Sequence, residues 1–240
     1  MKRRPAPSVS QPPKKRFPIR ILIALIVAIV GLGVWQYPNV VNFVYDRNVA
    51  AEERQFLDKK RDAIQGEALY EFLLAENERL FQSGQADLVD AFSYQQPGVD
   101  LSQYGITDNR IGYLNIPSIH RKLPIILGAN ATNLGLGSVH LTQTSYPIGG
   151  ENTNSVLAAH RGNNITGFRD IDKIEIGAEL TIDNFHEQLT YRAVETRIID
   201  PSETDVLQIR PGRDLVTLIS CHPLGVNTQR YVVTFERVNQ

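Results

Sequence analysis

The hydrophobic positions of this chain follow three spacings in turn. From Ile21 to Tyr45 no charged residue occurs, and the stretch ILIALIVAIVGLGVW within it is apolar almost throughout. Such a run predicts a membrane segment. From Asp46 to Ser83 charges return, and Leu57, Ile64, Leu69, Phe72, Leu73, Leu80 and Phe81 recur at roughly helical spacing. One or two amphipathic helices are expected there, with Gly84 as a stop and AFSYQQPGVDLSQYG as a following loop.

From Ile111 onward, short apolar runs are separated by turn residues: IGYLNIP, KLPIIL, SVHL, SVLAAH, ELTI, QLTYRAVETRII, LVTLISC and RYVVTFE. These read as strands. In the last, Tyr231, Val233 and Phe235 alternate with Arg230, Thr234 and Glu236, as expected of a half-buried strand. About eight short strands with little helix between them predict a closed barrel or a sandwich, since either protects strand edges. Periodicity does not choose between the two. LGANATNLGLGSV and SYPIGGENTN read as surface loops near a site.

Composition narrows the picture. With 240 residues, 42% of them hydrophobic, the chain suits one main globular domain. A net charge of −1 lacks the basic excess that phosphate-backbone binding requires, so nucleic acid is not an expected partner. The single cysteine excludes an intramolecular disulfide and leaves any metal site to His, Asp and Glu; neither a metal nor a cofactor is expected.

Lys2, Arg3, Arg4, Lys14, Lys15, Arg16 and Arg20 precede the apolar run. The positive-inside tendency then keeps this tail cytoplasmic and sends the rest outward, with Trp35 and Tyr37 at the outer interface. A cleaved signal sequence is the rival reading, because the most apolar stretch is shorter than the roughly 20 residues of a usual spanning helix. The absence of a clear small-x-small site after the run favours a retained single-pass anchor in the cell membrane. The expected domains are a basic tail (1–20), an anchor with its juxtamembrane segment (21–45), a helical stalk that includes a candidate lid (46–110) and a β-domain (111–240).

Cys221 ends an apolar run and is followed by His222, Pro223, Leu224 and Gly225, so it lies where a strand gives way to a loop. Most lone cysteines are small core hydrophobes. An odd thiol outside the cytoplasm is exposed to oxidation, however, and its retention points to a working role. A thiol with a reference pKa of about 8.5 needs a base or a cation nearby. His160 also stands at a strand end, before Arg161 and Gly162. His222 neighbours Cys221, and adjacent residues on an extended backbone face opposite ways, which disfavours it as partner. His120, His140 and His186 read as structural or solvated. Arg230, nine residues after Cys221, fits a strand, loop, strand return, and a fixed guanidinium there suits oxyanion stabilisation. Asn130-Ala-Thr and Asn164-Ile-Thr match glycosylation sequons, a pattern short enough to arise by chance.

Together, TLISCHPLGVNTQRYVV and NTNSVLAAHRG resemble the signatures of the sortases. Thr217, Leu218, Cys221 and Arg230 match that family's Thr-Leu-x-Thr-Cys strand end and following Arg, with Ser220 keeping the hydroxyl of the usual Thr. IGYLNIP, LPIILGA and LGLGSVHLTQTSYPIGGENTNSVLAAHRG are similar to the class C, pilin-polymerising branch, so the resemblance covers about Ile111 to the C-terminus.

The resemblance implies a mainly β, closed eight-stranded sortase-type barrel with an N-terminal helical subdomain and membrane helix. It further implies a cysteine transpeptidase: Cys221 attacks the threonine carbonyl of an LPXTG-like sorting signal, His160 transfers protons and Arg230 steadies the oxyanion. The implied partners are sorting-signal proteins such as pilins, and an amine acceptor on a pilin lysine or a cell-wall precursor. Class C enzymes commonly carry a lid with an Asp-Pro-aromatic tripeptide, and AFSYQQPGVDLSQYG has none. They also often have a second, C-terminal membrane helix, whereas Gln240 directly follows the last strand. A housekeeping role at the cell wall, a cysteine hydrolase and a non-enzymatic anchored β-domain are the alternatives.

Overall fold

The computed structural model describes residues 19–60, 64–85, 88–163 and 165–238. The basic residues Lys2 to Arg16, and Asn164 of the second sequon, lie outside them. Two compact units divide the chain between Val41 and Asn42.

The first unit is the apolar part of helix α1 (Ile19–Lys60), which carries Pro38. Its most apolar stretch has a mean hydropathy of 2.2 and none of it is buried. Length and composition therefore suit it to crossing a membrane. The helix does not break at Tyr45, where the spacing of apolar residues changes, but runs on to Lys60.

In the second unit, the end of α1 is joined to the β-domain by Glu53 to Lys122 at 2.7 Å, Glu52 to Arg110 at 2.6 Å, and an edge-on contact of Phe56 with Tyr113. Helix α2 (Ile64–Ser83) buries Leu69, Leu73 and Leu80, whose four- and seven-residue spacing makes one helical face. Asn77 lies on that face without cost, because it exchanges two hydrogen bonds with the Tyr146 backbone.

The β-domain has eight strands: β1 (Arg110–Ile116), β2 (Arg121–Leu127), β3 (Ser138–His140), β4 (Thr153–Ala158), β5 (Glu179–Asn184), β6 (Gln188–Ile199), β7 (Asp214–His222) and β8 (Gln229–Arg237). They close into a barrel in the order β1-β2-β3-β4-β7-β8-β6-β5, so the barrel and not the sandwich is realised. Closure leaves no free sheet edge. Two pairs are parallel, β2 with β3 and β4 with β7. Parallel pairs need crossover connections, and short helix α3 (Ala131–Leu136) lies in the first of these. Asn130 caps α3 by accepting a bond from the Asn133 backbone N–H at 2.9 Å, so the first sequon's asparagine has a structural use.

Both faces of β4, β7 and β8 are covered. Leu157, Val216, Leu218, Val233 and Phe235 join one core cluster, while Val156, Ala158, Ile219 and Val232 on the opposite face join another. The half-buried reading of β8 is therefore corrected: Arg230 and Thr234 are also buried. The second cluster is covered in part by Ala129, Leu134, Val206 and Leu207 from loops and α3, and in part by Leu88, Ala91 and Phe92 from the segment after α2.

Candidate active site

Strand register places the three candidate residues. Parallel neighbours end at the same edge, and Ala158 of β4 is level with Ile219 of β7. Two residues further along each chain stand His160 and Cys221. Strand β8 runs back beside β7 with Arg230 directly opposite Cys221. Because side chains alternate with period two, His160 shares a face with Ala158, and Cys221 shares that face with Ile219. All three candidates thus continue the second core cluster at the ends of three adjacent strands.

Two hydrogen bonds hold the strand ends together. Ser220 Oγ donates to the Ala159 carbonyl at 2.7 Å, tying the residue before Cys221 to the residue before His160. Thr217 Oγ1 donates to Asn154 Oδ1 at 2.8 Å across the same strand pair. Both hydroxyls are buried, so the retained hydroxyl at Ser220 has a structural reason. Beyond His160 the chain turns sharply, and Phe168 N–H donates back to the His160 carbonyl at 3.0 Å. Gly167 allows this approach, since a Cβ there would overlap the same carbonyl oxygen. Phe168 itself is fully buried and anchors the turn.

A cavity of about 540 Å³ opens over these residues, lined by His160, Arg161, Gly162, Asn163, Ile165, Cys221 and Asn227. Cys221 is partly buried and free. Burial pushes its thiol above the usual pKa, Arg230 pulls it down, Asp90 pushes it up, and Arg161 pulls it down. The balance is a thiol pKa raised above its ordinary value. His222 faces away from the cavity, as its position next to Cys221 predicted, and its Nδ1 meets Arg161 Nη1 at 2.6 Å. His140 is buried against the Thr144 and Ser145 carbonyls and His186 stacks on Tyr70, so neither belongs to the site.

The residues that sequence reasoning missed come from the segment between α2 and β1. Asp90 grips Arg230 at two points, Nε to Oδ1 at 2.7 Å and Nη2 to Oδ2 at 2.8 Å. Phe92 stacks on the His160 ring with centroids 5.8 Å apart, and the Arg230 guanidinium lies 5.1 Å over the Phe92 ring. The remaining guanidinium nitrogen, Nη1, donates to the Asn227 and Gln229 carbonyls. Within this segment Asp90 and Phe92 cover Arg230 and His160 as a lid would. No Asp-Pro-aromatic tripeptide is present, but Asp90-Ala91-Phe92 begins one residue before the stretch in which one was sought. An acidic residue two places before an aromatic, within the apolar run Leu88 to Phe92, was the available signal.

The lid is fastened at both ends. Gln85 bonds the Gln143 carbonyl at 2.9 Å and accepts from Ile209 N–H at 2.6 Å. On the far side, Gln95 bonds the Ala129 carbonyl at 2.9 Å and accepts from Thr142 N–H at 2.8 Å. Pro97 presses on Gly128, whose φ of 86° and lack of a side chain admit it.

Comparison with known proteins places this barrel. A family model for the sortase domain matches residues 114–238, just over half of the chain. Sortase D of Bacillus subtilis (strain 168) is 32% identical over 135 residues, 55% of this chain and 66% of that protein. The structure of Sortase C1 of GBS Pilus Island 1 superposes with a TM-score of 0.72 and 27% identity, covering 80% of this chain and 98% of that one. Sortase C-1 from Actinomyces oris superposes with a TM-score of 0.61 and 34% identity, covering 71% and 99%. Its structural neighbours are thus class C sortases, and with both the domain match and the barrel in common, the chain belongs to the sortase family.

Proposed function

We propose that this chain is a membrane-anchored transpeptidase in which Cys221 carries the acyl group. The Cys221 thiolate attacks the carbonyl carbon of the threonine in an LPXTG-like sorting signal. His160 protonates the leaving glycine amine as the C–N bond breaks, which leaves a thioester on Cys221. An incoming amine then attacks the thioester, gives its proton to His160, and releases the thiolate. Arg230 stabilises the oxyanion of each tetrahedral intermediate. The observation that carries this reading is the register of β4, β7 and β8, which brings a histidine and a cysteine to one cavity with an arginine directly opposite the cysteine.

The substrate is proposed to be a pilin, polymerised through a lysine amine. Support comes from the class C character of the structural neighbours and from a lid built on Asp90 and Phe92. The exposed apolar part of α1 supports a single-pass anchor with the β-domain outside the membrane. Attachment of surface proteins to the cell wall is the second reading, kept because a curated relative, Sortase D, is not class C by name.

The test is to incubate the full chain, in detergent or vesicles, with an LPXTG peptide, with and without a lysine-bearing pilin or a wall-precursor amine. Mass spectrometry should find an acyl adduct on Cys221 and transfer to the added amine. An unmodified Cys221 would refute the enzyme reading. Hydrolysis indifferent to every amine would refute transfer, and the preferred amine decides between the two roles.

A further inference from the structure

Behind the face that carries His160 and Cys221 lies a second layer at the same strand ends. Arg161, beyond the end of β4, lines the cavity and reaches His222, which follows Cys221 on β7 and so by the period-two alternation turns to the opposite side. Tyr231 of β8 is level with Ser220 and belongs to this side as well. The three meet: Arg161 Nη1 lies 2.6 Å from His222 Nδ1, the Arg161 guanidinium lies 5.7 Å over the Tyr231 ring, and the His222 and Tyr231 ring centroids are 5.6 Å apart.

Arg161 is held more firmly than a strand-end arginine needs to be. Its side chain is only 4% exposed. Nη2 pairs with Asp172 Oδ2 at 2.6 Å, and Nε donates to the Arg169 carbonyl at 3.3 Å. With Nη1 on His222, all three nitrogens are engaged, two with the loop between β4 and β5 and one with the end of β7. A guanidinium has no lone pair to accept with, so it donates to His222 Nδ1 and the ring proton resides on Nε2. Burial of a charge on this scale is tolerated only with such full pairing.

The comparison with Arg230 is informative. Asp90 occupies two of the Arg230 nitrogens and offsets its charge at the thiol. Arg161 is likewise paired, with Asp172, and its pull on the thiol is weaker than that of Arg230. The charged and titratable groups around the thiol are therefore Arg230, Asp90, Arg161, His160 and His222, with Asp172 behind Arg161.

We propose that Arg161 is a positioning residue for the reaction: it fixes the His222 ring, and through it the strand end that presents Cys221, and it places a positive charge at the cavity that Cys221 lines. The inference rests on Cys221 being the nucleophile. Its consequence is that thiolate formation has a contribution independent of the lid. Lysine at 161 would keep the charge but not span His222, Asp172 and the Arg169 carbonyl together.

The experiment compares wild type, Arg161→Gln, Arg161→Lys and Asp172→Asn as full chains in detergent. Melting temperature, the pH profile of Cys221 alkylation by iodoacetamide, and kcat and KM for transfer from an LPXTG peptide to an amine are measured. Arg161→Gln should move the alkylation profile up by about half a pH unit or more and slow alkylation at neutral pH by about threefold or more. Arg161→Lys should restore much of that profile yet keep a lowered kcat with KM little changed, and Asp172→Asn should lower kcat with the profile near wild type.

A folded Arg161→Gln chain whose alkylation profile and kcat both superimpose on wild type overturns the inference. If Arg161→Gln does not fold, wild-type kcat in both Arg161→Lys and Asp172→Asn overturns it equally. A wild-type chain that forms no acyl adduct on Cys221 instead refutes the underlying function, whatever the variants do.

Discussion

Asp90 and Arg230 form a two-point ion pair across the mouth of the site, with side chains only 18% and 9% exposed. The pair consumes the guanidinium edge that an oxyanion would use, and Phe92 covers the imidazole beside it. The proposed reaction needs the lid tip to leave, while Gln85 and Gln95 hold its two ends. Replacing Asp90 with Ala should loosen the tip, uncover the thiol and remove a charge that disfavours the thiolate. Alkylation of Cys221 at neutral pH should rise by about threefold or more. Equal rates in the variant and wild type would show that the ion pair does not restrain access.

Arg230 separates charge from geometry. Arg230→Lys keeps a cation but cannot reproduce the planar fork that reaches Asp90 and the Asn227 and Gln229 carbonyls together. Loss of one aligned oxyanion donor typically costs about 10²-fold or more in kcat. The variant should therefore fold and alkylate at Cys221, yet transfer an acyl group about 10²-fold more slowly. Steady-state transfer rates check this, and a wild-type kcat in the lysine variant removes Arg230 from the oxyanion role.

All eight strands were legible in the sequence because turn residues punctuate them and their apolar runs are short. The opposed faces of Cys221 and His222 were legible too, since alternation is a property of extended backbone. What no local pattern carried was partnership. Strand β4 pairs in parallel with β7, about 60 residues on, and only that register sets His160 level with Cys221. Asp90 meets Arg230 across 140 residues, and an isolated aspartate in a loop has no sequence mark of such a partner. The burial of Arg230 and Thr234 was hidden for the same reason, because alternation reports one buried face and not a second layer laid over the other.

Ser220 is the family's hydroxyl position, and its structural use makes a graded prediction. Ser220→Ala removes the bond to the Ala159 carbonyl at a fully buried site and should cost about 1 kcal/mol of stability, or somewhat more because an acceptor is left unpaired. It should also loosen Cys221 relative to His160 and lower kcat. Ser220→Thr keeps the hydroxyl and should retain both properties. Denaturant unfolding and transfer rates on the three chains check the order, which fails if Ala and Thr behave alike.

His140 predicts how stability responds to acid. It is wholly buried with Nε2 donating to the Thr144 and Ser145 carbonyls, and burial lowers its pKa to about 4. Between about 6.5 and 4 the unfolded chain takes up a proton that the folded chain refuses, so stability is full above the unfolded value and falls as pH drops through this window. The whole shift corresponds to about 3 kcal/mol, nearly all of it lost by the lower end. His140→Asn retains a donor for the carbonyls but does not titrate, so its unfolding free energy should fall less between pH 7 and 5 than that of wild type. Parallel curves for the two chains would assign the acid sensitivity elsewhere.

Gly167 makes a sharper prediction, because it concerns the backbone of His160, the residue proposed to transfer protons. Its Cα lies against the His160 carbonyl where the chain doubles back, and an added Cβ would overlap that oxygen and meet the Asn163 carbonyl oxygen at 2.7 Å. Both obstacles are backbone, so no side-chain rotation relieves them. Either the bond from Phe168 N–H to the His160 carbonyl breaks or the His160 peptide shifts. Phe168 is fully buried and β4 is fixed on both sides, which leaves the turn between them to move. Gly167→Ala should therefore displace His160 from Cys221 while the barrel stays folded. Acylation and transfer should fall by about 10²-fold, the scale set by an angstrom of misplacement at a reacting centre. Alkylation of Cys221, which does not need the histidine as an acid, should fall far less. A variant with wild-type transfer kinetics would mean that the turn absorbs a methyl group without moving His160.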